Sequence, residues 1–235
     1  MPHLFVNRPR IHAVLADRPS LREEFKWETI NAIVYKIGGL LFIAGSFCFF
    51  PRWSAYADLG AWIFIAGSLF YLLVTSHDMA EVLRLARERN APPTVWDRLE
   101  FSAAVAYLTG TILFTVGSVF FLSIVGLNTA GAWCFVIGSV LFIVGATINV
   151  LQITQADSMI TLQLMNLTAL TFVMGSLLFT VASVPYLWSV DNADDAWMID
   201  AFVAWQYVVG SALFFLGGVF NYWRAFIVIR AAAET

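Results

Sequence analysis

Gly38-Gly39-Leu40-Leu41-Phe42-Ile43-Ala44-Gly45-Ser46 returns as Gly110-Thr111-Ile112-Leu113-Phe114-Thr115-Val116-Gly117-Ser118, and again as Gly175-Ser176-Leu177-Leu178-Phe179-Thr180-Val181-Ala182-Ser183. All three fit the pattern G-x-[LI]-L-F-x-x-[GA]-S. Between and after them runs a second motif, a tryptophan five residues before a Gly-Ser pair: Trp62 with Gly67-Ser68, Trp133 with Gly138-Ser139, Trp205 with Gly210-Ser211. The serines of this second motif lie 71 and 72 residues apart. Two alternating motifs at a fixed period specify a two-element unit used three times.

The surroundings of these motifs decide what the elements are. Of 235 residues, 60% are hydrophobic and 12% charged, with mean hydropathy +0.78. A soluble domain carries about twice that share of charge, so a water-soluble globular protein is excluded. A bilayer core needs about 20 apolar residues in a helix. Six runs meet that length, near 30–50, 57–76, 101–124, 131–150, 165–187 and 201–222, and each contains one motif. Lys36 sits inside the first run and can snorkel to the near interface. The expected fold is therefore all-α and integral to the membrane: six transmembrane helices, arranged as three two-helix hairpins in parallel repeat. The units are 27–93 with a cytoplasmic helical extension, 94–158, and 159–235 with the C-terminal tail, after a cytoplasmic segment 1–26.

Charge sets the orientation. Arg8, Arg10, Arg18, Arg22 and Lys26 precede the first run, Arg84, Arg87, Arg89 and Arg98 follow the second, and Arg224 and Arg230 lie in the tail. In a six-span chain these share one side. The other side holds Arg52 and the acids Asp191, Asp194, Asp195 and Asp200. Basic residues stay inside, so both termini are expected in the cytoplasm. Ala55-Tyr56-Ala57 has the look of a cleavage site, but the polar stretch before the first run is long for a signal peptide, and the first run carries the repeat. It is read as a retained span. All odd runs then point outward, so any pseudo-symmetry axis lies along the membrane normal.

Small residues recur at seven-residue spacing: Gly38 and Gly45, Gly110 and Gly117, Gly175 and Ala182, Gly60 and Gly67, Gly131 and Gly138, Gly210 and Gly217. Seven residues is two helical turns, so each helix carries a flat seam on which a neighbour can rest by van der Waals contact. Helix packing is the role expected of Gly38, Gly45, Gly67, Gly110, Gly117, Gly138, Gly175 and Gly210. Ser20 with Glu23, and Thr94 with Asp97, read as capping boxes that open helices. In the third unit the outer connection is longer, and its extra residues, with Trp188 and Trp197, suggest a short interfacial segment.

The hairpin with Gly38 to Ser46 followed by Trp62-Ile63-Phe64-Ile65-Ala66-Gly67-Ser68 resembles the YrhK-like domain, a small bacterial two-helix membrane module of uncharacterised function. The likeness is most direct in the first two units and looser in the third, where Ala182 replaces glycine. The resemblance implies a protein of the bacterial inner membrane and brings no catalytic residue with it.

Polar positions in the apolar runs are few. Ten residues after each second-motif serine lie Asp78, Asn149 and Asn221, and three further on Glu81, Gln152 and Arg224. Each pair shares a helix face. Either these are helix ends turning polar as they meet water, or they form a shared cytoplasmic vestibule joining the units. Glu28 and Glu100 each stand ten residues before the first motif glycine of their unit. His77, Asp78 and Glu81 make too poor a ligand set for a metal. Cys48 and Cys134 lie in apolar runs, which speaks against a disulfide framework or a zinc site. No phosphate loop, H-E-x-x-H or G-x-S-x-G occurs. The motif serines lack an intramembrane base, and their usual role is to bond the carbonyl one turn back. A haem would want an axial histidine within a run; the many aromatics read as lipid-facing or packing residues. No cofactor, no catalytic residue and no nucleic-acid partner is expected, and the net charge of −3 offers no basic surface.

Two functions fit. One is a non-enzymatic scaffold or accessory protein acting through lipid or protein contacts, with a membrane-protein partner or a second copy of itself. The other is a channel or transporter for a small solute with a cytoplasmic polar vestibule. If the three hairpins surround one axis, Arg224 should pair with Glu81 or Asp78 at a partly wet mouth and tie the third hairpin to the first.

Overall fold

The six apolar runs become six α-helices in the computed structural model, which describes residues 21–88, 92–151, 158–188 and 192–234. They are α1 (Leu21–Phe47), α2 (Ala57–Glu88), α3 (Val95–Phe120), α4 (Asn128–Leu151), α5 (Met159–Ser183) and α6 (Ala193–Glu234). All six are long and apolar enough to cross a membrane, and no strand occurs among the described residues. Local chemistry sets their ends. At α3 the Thr94 hydroxyl accepts from the Asp97 amide at 3.3 Å, and the Asp97 carboxylate accepts from the Thr94 amide at 2.7 Å. This reciprocal box satisfies two of the four free donors of a helix start. Ser158 caps α5 by accepting from the Thr161 amide at 3.1 Å. Pro51 opens a 3₁₀ segment kinked at Trp53, Pro51–Tyr56, and Pro185 lies in the single 3₁₀ turn Val184–Leu187, just past α1 and α5; proline has no amide hydrogen for the helix to use. The box expected at Ser20 lies outside the described residues.

In the third unit the sequence points to an interfacial segment, and the structure is simpler. The turn Val184–Leu187 is followed, beyond residues 189–191 that lie outside the description, by α6 itself. The Asn192 side chain accepts from the Asp194 amide at 3.0 Å at its start. A 42-residue helix then runs on to Glu234, well past the apolar window 201–222, because helix formation does not end where apolarity does.

Each helix packs on the two that flank it in the chain, and α6 closes back on α1. The glycines make the close contacts. A Cβ on Gly38 would lie 2.6 Å from the Tyr71 ring and 3.1 Å from the Gly67 carbonyl; one on Gly67 would lie 3.1 Å from the Gly38 carbonyl. Seven residues further along α1, Gly45 faces Phe64 and the Gly60 carbonyl, seven residues back along α2. The two helices therefore run antiparallel with glycine opposite glycine. The same opposition joins Gly110 to Gly138 and Gly117 to Gly131 between α3 and α4, and Gly175 to Gly210 between α5 and α6. In each case the ring of one helix fills the gap left by the glycine of the other: Phe114 and Phe142 at Gly138 and Gly110, Phe179 and Phe214 at Gly210 and Gly175.

A second stripe, also of period seven, faces inward. Phe42, Phe64, Phe114, Phe135, Phe179 and Tyr207, one from each helix, are buried to at most 3% exposure. Their rings meet across the bundle: Phe42 reaches Phe114 and Phe179 with centroids 6.5 and 6.4 Å apart, and Phe135 reaches Tyr207 at 6.3 Å. Seven residues along each helix stand Tyr35, Tyr71, Tyr107, Phe142, Phe172 and Phe214, also buried. The Tyr35 and Tyr71 rings stack at 4.4 Å. Two aromatic layers fill the centre. Large apolar side chains such as Leu40, Leu73, Trp62, Trp133, Ile137, Leu170 and Trp205 are exposed on the outside.

A polar layer at one end of the bundle

One further step of seven turns the inward stripe polar. It brings Glu28 on α1, Asp78 on α2, Asn149 on α4 and Asn221 on α6 into the interior, at exposures of 6%, 4%, 0% and 5%. Met165 on α5 is buried at the equivalent place, and Glu100 on α3 is half-buried. Glu81 and Arg224, one turn beyond Asp78 and Asn221, are buried to 7% and 5%. Gln152 lies outside the described residues.

The six polar positions that the sequence groups together thus include five described residues, all inside the protein. A half-wet mouth is not what they form: burial of this degree removes water from Glu81 and Arg224 alike. Side-chain geometry links them within and between helices. Arg224 Nε donates to Asn221 Oδ1 at 3.3 Å. Asn149 Nδ2 donates to the Tyr107 hydroxyl at 2.7 Å, crossing from α4 to α3. Asp78 on α2 is close enough to Tyr107 to interact with it electrostatically. A buried polar group needs such partners, because leaving one unmatched costs about 1–3 kcal/mol.

The seam between α1 and α6 is cross-linked at several points among the described residues. Tyr35 inserts where Gly218 leaves room, since a Cβ there would stand 2.4 Å from its ring, and its hydroxyl donates to the Phe214 carbonyl at 3.0 Å. The Thr29 and Tyr222 hydroxyls meet at 3.0 Å. The Lys36 ammonium lies 4.6 Å from the Tyr222 ring centroid, a cation–π contact along the half-buried stem. Ser46 and Ser211 approach to 3.4 Å. Beside this seam a cavity of about 10 Å³, room for one water molecule, is lined by Glu28, Asn31, Ala32, Tyr35, Val74, Gly218 and Asn221.

The motif serines divide by position. Ser46, Ser118 and Ser183 on the odd helices donate to the carbonyls of Phe42, Phe114 and Phe179, four residues back, at 2.6, 2.7 and 2.8 Å. Ser68 and Ser139 on the even helices are buried and make no hydrogen bond; there the small side chain serves packing alone. Among the described residues no group of three or more His, Cys, Asp and Glu side chains could hold a metal ion.

Asn31, Tyr35 and Tyr107 belong to this layer and do not stand out when polar residues are sought by type. The signal that finds the two tyrosines and Glu28 is spacing: 28, 35 and 42 on α1, with 100, 107 and 114 on α3, continue the inward stripe of period seven.

Comparison with known proteins adds one finding. The family model for YrhK-like protein matches this chain twice, over residues 26–83 and over residues 97–153, that is, over α1 with α2 and over α3 with α4. The helices α5 and α6 lie outside both matches. No curated protein and no solved structure matches the chain significantly.

Proposed function

From two YrhK-like units in one chain and six helices able to cross a membrane, we propose that this is a multi-pass protein of the bacterial inner membrane. It has six spans in three hairpins of the same direction, and both termini in the cytoplasm. It acts as a non-enzymatic scaffold or accessory protein through contacts with lipid or with another membrane protein. The observation that carries the reading is the packed centre. Twelve aromatic side chains from all six helices fill two successive layers, buried to at most 5% exposure, so the axis is occupied by rings and not by a path for solute. The apolar outer face, with Trp62, Trp133 and Trp205 each more than half exposed, suits acyl chains and the interfacial belt. The third unit departs from the other two at one seam position: Ala182 stands in register with Gly45 and Gly117.

The competing reading, a channel or transporter for a small solute, draws on the polar layer and treats it as a vestibule. Proteoliposomes separate the two. Scaffold function predicts that vesicles with purified protein release small ions and neutral solutes no faster than empty ones. Saturable, protein-dependent flux would replace it with the transporter. Orientation is tested by a reporter fused after Thr235, which should score cytoplasmic; a periplasmic score removes the assigned orientation.

A further inference from the structure

We propose that the seam of α1 and α6 at Lys36 is a binding site for an anionic phospholipid, with the Lys36 ammonium holding the lipid phosphate. The site names the lipid in a protein that acts through lipid contacts, and rests on that reading. Lys36 stands eight residues inside the apolar span that starts at Glu28, about 12 Å at the rise of an α-helix. Side chains lean toward the start of their helix, and the ammonium lies 4.6 Å from the centroid of the Tyr222 ring. The hydroxyl of that ring meets Thr29 at 3.0 Å, next to the edge of the span. The charge has thus turned back from its Cα toward the boundary, as a snorkelling lysine does. Thr29 gives its proton to the Phe25 carbonyl at 2.8 Å, so the Tyr222 hydroxyl is the donor to Thr29. That bond pins the ring against which the ammonium rests. Among the described residues Lys36 forms no ion pair and no hydrogen bond with a protein group. Lys36, Tyr222 and Thr29 are all half-buried and reach the outer surface of the seam. Three N–H donors at the membrane boundary, with a ring as their protein neighbour, call for an anion from outside the chain.

The repeat shows that packing does not require this charge. In register with Lys36 stand Leu108 on α3 and Val173 on α5, and in register with Tyr222 stand Met79 on α2 and Val150 on α4. The two equivalent seams therefore close with apolar side chains, and the lysine on its tyrosine belongs to the α1–α6 seam alone. Surroundings select the source of the anion. Ile33, Ile37 and Leu40 are exposed along α1, a strip on which an acyl chain can lie. Lys26 is exposed about three turns nearer the start of the helix, and adds positive charge where headgroups gather. A free phosphate ion would use the charge and leave the strip bare, whereas a phospholipid uses both.

The test uses the purified, delipidated full-length chain in nonionic detergent at neutral pH, with phosphatidylglycerol, phosphatidylcholine or inorganic phosphate added. Phosphatidylglycerol should raise Tm saturably, because a ligand of the folded state stabilises according to its occupancy. Phosphatidylcholine should do so much less, and inorganic phosphate at equal concentration not at all. Native mass spectrometry should show phosphatidylglycerol retained in preference to phosphatidylcholine. Lys36→Met places an apolar side chain where the other seams already carry one, so the variant should fold. It should weaken phosphatidylglycerol binding about tenfold, the worth of one charge-assisted contact. Lys36→Gln should match it, and Lys36→Arg should keep the affinity. A phosphatidylglycerol response that survives both neutral variants overturns the site. So does equal stabilisation by phosphatidylcholine, or by inorganic phosphate, which would make the ligand a soluble anion. A dimer that Lys36→Met dissociates would seat a second copy on this face and overturns it as well. The membrane reading fails differently, by recovery of the chain from the soluble fraction without detergent, and takes the site with it.

Discussion

A leucine at position 138 would begin with a Cβ 2.8 Å from the Phe114 ring and 3.0 Å from the Gly110 carbonyl. The ring could yield, but the opposing backbone cannot without parting the helices. Gly138→Leu should therefore destabilise the protein by about 1–3 kcal/mol through overpacking, read as a lower Tm in detergent. An unchanged Tm would mean that this face does not touch a helix. Arg224 is the other decisive residue. Its burial alongside Asp78 and Glu81 raises the stakes of the pairing proposed between it and one of these carboxylates. If one of them is its partner, Arg224→Leu leaves that buried acid without its counter-charge and should cost about 3–5 kcal/mol. If Glu81 is the partner, the double variant Glu81→Arg with Arg224→Glu should recover stability lost by either reversal alone. A double variant no better than the singles would exclude Glu81 as the link.

Helix ends and helix seams carry the next set of expectations. Thr94→Ala removes half of the box that opens α3 and should cost about 1 kcal/mol, with the loss visible in thermal unfolding. Tyr35→Phe keeps the ring against Gly218 and deletes only the bond to the Phe214 carbonyl; that carbonyl is already in a helix, so the cost should be about 0.5–1.5 kcal/mol. The number of helices, the glycine seam and the Thr94 box were all legible in the sequence, because apolar length, period and capping chemistry are local properties. What faces the glycines was not. Hydropathy scores Phe114 and Ile137 both as strongly apolar, although one fills the axis and the other is exposed on the outer surface. In an apolar solvent both sides of a helix read as apolar, and only the shared seven-residue step of Phe42, Tyr35 and Glu28 separates inward from outward. The end of α6 escaped for a related reason: Trp223 to Glu234 continue the helix after the apolar window has closed.

At the scale of the whole molecule, the seam between α1 and α6 turns a row of six helices into a ring. Sequence motifs repeat identically in a row and in a ring, so closure could be posed from the polar set Asp78, Asn149 and Asn221 but not decided by it; the depth of burial of Glu81 and Arg224 depends on that closure as well. Closure also underlies the proposed function, since the two aromatic layers seal the axis only when α6 lies against α1. Ser46 on α1 and Ser211 on α6 face each other at 3.4 Å, near enough for a disulfide if both become cysteine. The most direct measurement is therefore oxidation of Ser46→Cys with Ser211→Cys in native membranes, in a chain whose Cys48 and Cys134 are replaced by alanine, followed by mass spectrometry of the linked peptides. A closed ring predicts a disulfide within one chain, formed independently of protein concentration and absent from either single variant. Failure to form it, or a disulfide found only between two chains, would contradict the closed bundle and the sealed axis built on it.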